Sequence, residues 1–106
     1  MLDACLPHWL RHRLYPHDVE TAHHAGLDQL ADAPLLDAIE GRFDILVTMD
    51  RNLSFQQRLA GRRLAVLVVR VRDQSPDSFE SIVPALSKAI AEIAPGQLRT
   101  VGIDAE

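Results

Sequence analysis

The run LAVLVV, Leu64 to Val69, constrains the fold more than any other stretch of the chain. Its apolar residues are consecutive, half of them β-branched, and no polar face remains to turn toward water. That pattern belongs to a parallel strand buried on both sides, which requires helices on each face of its sheet. The rest of the chain supplies the alternation such a sheet needs. Leu2-Asp3 reads as the stub of a first strand, and Pro7 is well placed at the start of a helix carrying Trp9, Leu10 and Leu14. His17 to Thr21 reads as a second strand. Pro34 opens a helix through Ile39 that stops at Gly41, and Asp44 to Thr48 is a third strand. Asn52 caps a helix through Leu59 that closes at Gly61.

After the central strand, Ser75 is an expected N-cap, Pro76 the first helical residue and Asp77 a first-turn acid. Phe79, Ile82, Val83, Leu86, Ile90 and Ile93 fall on one helical stripe. Pro84 lies inside that stripe, where a lost backbone donor predicts a kink or a split. Pro95-Gly96 ends the helix, and Leu98 to Ile103 supplies a last strand. The expectation is a single domain of 106 residues, a three-layer α/β/α sandwich around a mostly parallel, roughly five-stranded sheet.

No apolar run approaches the roughly 20 residues needed to cross a bilayer, so no membrane partner is expected. The start of the chain has no basic head followed by an apolar signal segment. The lone Cys5 forms no internal disulfide and is expected as a small buried side chain. A cytoplasmic protein is the resulting expectation.

Net charge is -4, but its distribution is uneven. Residues 51–72 hold Arg51, Arg58, Arg62, Arg63, Arg70 and Arg72 and no acid, whereas the remainder of the chain is strongly acidic. Such asymmetry marks either an anion-facing edge or a set of solvated arginines. Ligands of open α/β sheets bind beyond the carboxyl ends of the strands, and Asp3 and Asp50 both fall there. Two strand-end carboxylates suit Mg²⁺ or Mn²⁺, which take oxygen ligands. Asp32 or Asp37 is a candidate third ligand. Each aspartate also has a plainer reading, Asp50 as a helix cap and the others as solvated acids.

The segments LDACLP, HDVET, ILVTMDRNLSFQQRLAGRRLAVLVVR and DQSPDSF…VPALSKAI, taken in order, resemble the small bacterial PIN-like proteins. The resemblance spans nearly the whole chain, although each motif alone is short. It implies a PIN-type sandwich whose acidic residues bind Mg²⁺ or Mn²⁺ for RNA cleavage. It also implies the toxin of a toxin-antitoxin module, an antitoxin-like partner, and dimerisation. Asp3 matches the first-strand aspartate of the family, Asp50 the acid of its T-x-D segment, and Arg70 the arginine after the long apolar strand.

The chain departs from the family at Ala4, where an acid or amide is usual, and at Pro34, where a glutamate is usual. Asn52 stands where many members have a second acid. Only Met1 and Leu2 precede the first aspartate, so a short first strand is expected. Two-metal catalysis, with ions roughly 3.5–4 Å apart, needs more carboxylate than Asp3 and Asp50 supply, which points to one metal. In that reading Arg51 and Arg70 stabilise charge on the phosphate, and Arg62, Arg63 and Arg72 hold flanking phosphates. The departures equally suit a PIN-like fold that no longer cleaves and acts as a binding partner.

Two other chemistries fit less well. His8, His12, His17, His23 and His24 lack the spacing and partners of a zinc site and read as surface residues. A receiver-type signalling domain shares the alternation, but it wants a paired acid after the first strand and a lysine after the last. Ala4 and the helical position of Lys88, the chain's single lysine, oppose that reading.

Overall fold

A computed structural model describes residues 1–3, 5–14, 17–27, 29–30, 32–49, 59 and 61–102, with backbone alone at 32 and 33. The elements in chain order are α1 (Leu10–Arg13), α2 (Asp32–Ile39), β1 (Ile45–Thr48), β2 (Ala65–Arg70), α3 (Pro76–Glu92) and β3 (Leu98–Gly102). The strands form a three-stranded sheet in the order β1-β2-β3. Both pairings are parallel, with Ile45 opposite Ala65 and Val66 opposite Leu98. The helix expected from Asn52 to Leu59 lies outside the described residues, apart from the buried Leu59.

Two of the five expected strands are reduced to single bridges. Leu2 pairs in parallel with Thr21 on one side and Val47 on the other. The Leu2 N–H donates to the Glu20 carbonyl, and the Ala22 N–H donates back to Leu2, both at 2.7 Å. Toward β1, the Val47 N–H donates to Met1 and the Asp3 N–H to Val47, both at 2.8 Å. The ladder geometry is therefore parallel, but each contact stops after one residue. On the Thr21 side, Ala22 to Gly26 turn away immediately.

The continuous apolar pattern of β2 has the expected cause. Leu67 and Val69 pack on one face with Phe79, Ile82 and Leu86 of α3 and Leu10 of α1. Val66 and Val68 pack on the other face with Leu35, Leu36 and Ile39 of α2. Each fully buried aliphatic side chain of this kind contributes about 1.5–3 kcal/mol relative to exposure. Helices thus cover both faces of the sheet. Among the described residues, no helix is long and apolar enough to cross a membrane.

Helix α3 begins as its sequence predicts. The Ser75 hydroxyl accepts from the Ser78 N–H at 3.3 Å, and Pro76 occupies the first turn, where its missing donor costs nothing. Phe79, Ile82, Leu86 and Ala89 form the buried stripe. Pro84 does not split the helix, which runs unbroken from Pro76 to Glu92. The packing of that stripe against the sheet outweighs the one backbone bond removed.

Two expected outcomes follow from these elements. The Asp73 carboxylate accepts from the Ser75 backbone at 2.9 Å and from the Ser78 hydroxyl at 2.7 Å. Ser75 first and then Ser78 hold its pKa at about 2, below the ordinary value of 3.8. A folded-state pKa below the unfolded one gives stabilisation complete above the unfolded value and lost as pH falls toward about 2. An NMR titration of Asp73 should show that low midpoint, and Ser78→Ala should raise it.

Gly102 lies opposite Arg70 with φ of 120°, and a Cβ built there would run into the Arg70 carbonyl oxygen. Gly102→Ala should therefore cost about 1–3 kcal/mol or more. The effect is read as a lower urea midpoint at unchanged slope.

Candidate functional site

Parallel strands put all their carboxyl ends on one edge, so the chain after Leu2, β1 and β2 emerges on the same side. Asp3 follows the Leu2 bridge, and its backbone is fixed by its hydrogen bond to Val47. Thr48 closes β1 and is fully buried. A buried hydroxyl requires a partner, and here it donates to Oδ2 of Asp3 at 2.7 Å. One strand end thereby orients the carboxylate of the next.

Cys5 joins this pair. Its Sγ lies 3.9 Å from Asp3 Oδ2 and 3.8 Å from Thr48 Oγ1, and it accepts the Met49 N–H at 3.4 Å. Cys5 is exposed as a residue, not the buried side chain expected from sequence, because it sits in the turn after Asp3. Burial of the sulfur pushes the thiol pKa up, and the neighbouring Asp3 charge adds to the effect. The group is a neutral thiol at physiological pH.

Arg70 ends β2 on the same edge and is half-buried, and Arg72, two residues on, is exposed. Asp50 and Arg51 lie outside the described residues. Asp32 is the first residue of α2, with its side chain outside the description.

The remaining sequence candidates gather at the opposite edge. Arg62 precedes β2 and donates to Oδ1 of Asp37 and Oε1 of Glu40, each at 2.7 Å. The Arg63 N–H donates to the other oxygen of Glu40 at 3.1 Å. Hydrogen bonding to Asp37 foremost raises the Arg62 pKa further above its ordinary value. Asp37 is mostly exposed and Arg62 only 21% exposed, so this pair acts at the protein–water boundary and its worth is modest. Its role is to tie α2 to the entry of β2. The structure thus joins Asp37 to Arg62 instead of bringing Asp37 to Asp3, and it places Arg62 and Arg63 away from the Asp3 edge.

Sequence reasoning missed Thr48 and Glu40. Thr48 carried a readable signal, since it is the one hydroxyl ending an otherwise apolar buried strand. Glu40 carried none, because its partner lies 22 residues away. His8, His12, His23 and His24 are exposed as expected, and the rings of His8 and His23 stack with centroids 5.2 Å apart. Among the described residues, no group of three or more His, Cys, Asp or Glu side chains is placed to hold a metal ion.

The raised thiol pKa predicts slow alkylation of Cys5 by iodoacetamide at neutral pH, with the rate climbing only above the range of a free cysteine. Unfolding in urea should accelerate the reaction, and Asp3→Asn should bring part of that increase to the folded protein. No family model, curated protein or solved structure matches the chain.

Proposed function

We propose that the chain is a PIN-like, metal-dependent ribonuclease that acts as the toxin of a toxin-antitoxin module. The observation that carries the proposal is the Asp3 carboxylate, held by Thr48 at the carboxyl edge of a parallel sheet. Asp50 enters by sequence, two residues past the end of β1.

The donor chemistry fits a hard cation. Mg²⁺ commonly uses one or two protein carboxylates and completes its shell with water and phosphate oxygens. Asp3 and Asp50 would hold Mg²⁺ or Mn²⁺, and the ion, when bound, supplies an activated water and polarises the scissile phosphate. The chain's own groups do the positioning. Thr48 fixes the orientation of the Asp3 carboxylate. Arg51 and Arg70 stabilise charge developing on the phosphate, a task suited to the planar guanidinium. Arg72 holds a flanking phosphate, which adds affinity without sequence information. Arg62 is engaged with Asp37 and Glu40, so the RNA-holding role passes to the arginines of the carboxyl edge. The cellular partners of this reading are RNA, an antitoxin-like protein and a second copy of the chain, in the cytoplasm.

One observation favours a second reading. With Asp37 paired to Arg62, Asp3 is the candidate acid that the described residues place at this edge. A PIN-like binding partner without nuclease activity would need no more.

Purified protein incubated with mixed single-stranded RNAs and Mn²⁺ or Mg²⁺ separates the two. Cleavage abolished by EDTA and lowered roughly 100-fold or more by Asp3→Asn or Asp50→Asn supports the nuclease. Thr48→Val, which leaves both carboxylates in place, should cost about 10–100-fold. Cleavage indifferent to chelator and to both aspartate variants would sink the proposal. An inactive protein that still binds RNA or an antitoxin-like protein would select the second reading.

A further inference from the structure

At the amino ends of the strands, across the sheet from Asp3, the protein holds a cleft of about 580 Å³. Its apolar lining comes from Val19, Phe43, Ile45, Ala65, Ile90 and Ile93. These side chains come from the 17–19 segment, the starts of β1 and β2, and the end of α3. Several of them are only partly buried, so a concave apolar surface faces solvent. Pockets of roughly 300–1,000 Å³ with an apolar lining and a few placed polar groups are the size that takes small molecules.

The lip of the cleft carries both signs of charge. Asp18, Asp44, Arg42 and Arg63 line it. Their order follows the order of the chain segments across the sheet. Asp18 stands three residues before Thr21, next to the Leu2 bridge, Asp44 stands directly ahead of β1, and Arg63 stands ahead of β2. Acid therefore stands at one end of the lip and Arg63 at the other, with Arg42 two residues ahead of Asp44. The Met1 amino group also lines the cleft near Asp44 and Asp18, but burial lowers its pKa to about 6, so it is largely neutral at pH 7. Among the described residues, none of the four lip side chains forms an ion pair. Arg42 instead lies over the Phe43 ring, its guanidinium carbon 5.6 Å from the ring centroid. The neighbouring Arg62 shows the contrast, since both its carboxylate partners are in place.

We propose that this cleft binds a small zwitterion with an apolar body, the chemistry of an apolar α-amino acid or a short apolar peptide. The ligand carboxylate pairs with Arg63, whose guanidinium forms strong charge-assisted hydrogen bonds. The ligand ammonium pairs with Asp44 and Asp18. The side chain lies on Phe43, Ile45 and Ile93. A ligand with one charge leaves the opposite end of the lip unsatisfied, and this supplies the selectivity. The site is independent of the Asp3 edge and of any nuclease activity there.

The test uses one side chain with its charges removed in turn. L-Leucine, 4-methylpentanoate and 3-methylbutylamine are each titrated into the full chain, followed by amide NMR shifts, with leucyl-leucine as the length comparison. Saturable leucine or leucyl-leucine binding should move signals of 42–45, 63–65 and 90–95 while leaving those of Asp3 and Thr48 unchanged. Whichever of the two binds more tightly identifies an amino-acid or a peptide site. Each single-charge analogue should bind at least about tenfold more weakly. Arg63→Gln and Asp44→Asn, both at exposed positions, should each weaken the zwitterion about tenfold. The proposal is overturned if neither zwitterion shifts these signals. It is equally overturned if a single-charge analogue matches the zwitterion, or if both variants bind as the parent does.

Discussion

The two-sided burial of β2 holds the molecule together. A parallel strand with a solvent face would tolerate polar residues at alternate positions, but β2 has none until Arg70, where it reaches the edge. Leu67 and Val69 anchor the layer of α1 and α3, and Val66 and Val68 anchor the layer of α2. Loss of a large side chain here would open a cavity with neighbours on every side, at about 2–5 kcal/mol for a leucine truncated to alanine. The positions of both sheet edges follow from this one strand, since β1 and β3 each pair directly with it.

The sheet separates two chemical environments by its direction. At the carboxyl edge a buried hydroxyl, a carboxylate and a neutral thiol crowd within 4 Å of one another. At the amino edge, charges are paired where α2 meets β2, whereas among the described residues the charged side chains lining the cleft beside it form no ion pair. Arg62 and Arg63 illustrate how sharply adjacent residues diverge. One side chain is two-thirds or more covered and held by two acids, while the next is exposed and lends only its backbone N–H to Glu40.

What could be read from sequence divides along physical lines. The β2 run, the Ser75 cap and the α3 stripe were legible because each is decided by residues within a few positions of one another. The short segments around Leu2 and Thr21 show a strand-like polarity pattern, but their length of pairing depends on the tertiary neighbour and on the turn after Thr21. Of the two outcomes expected at Pro84, the split does not occur, because burial of the helix stripe prevailed over a local penalty. Asp3 was readable as a strand-end acid and Thr48 as a buried strand-end hydroxyl, whereas their pairing and the Asp37–Arg62 tie were not, because those contacts join residues 45 and 25 apart. Charge counted along the chain grouped Arg62 with Arg70, though the length of β2 separates them.

Gly102 has a further effect beyond its fit against Arg70. It ends β3, and β3 forms one border of the sheet. A border strand offers unpaired backbone donors and acceptors that a strand of another molecule can adopt. Among the described residues, β3 offers five residues of such a border, and at the last of them Gly102 holds φ of 120° against the Arg70 carbonyl. The φ that admits Arg70 also departs from the geometry of a regular ladder of L residues, which weakens the template this border offers to a second chain.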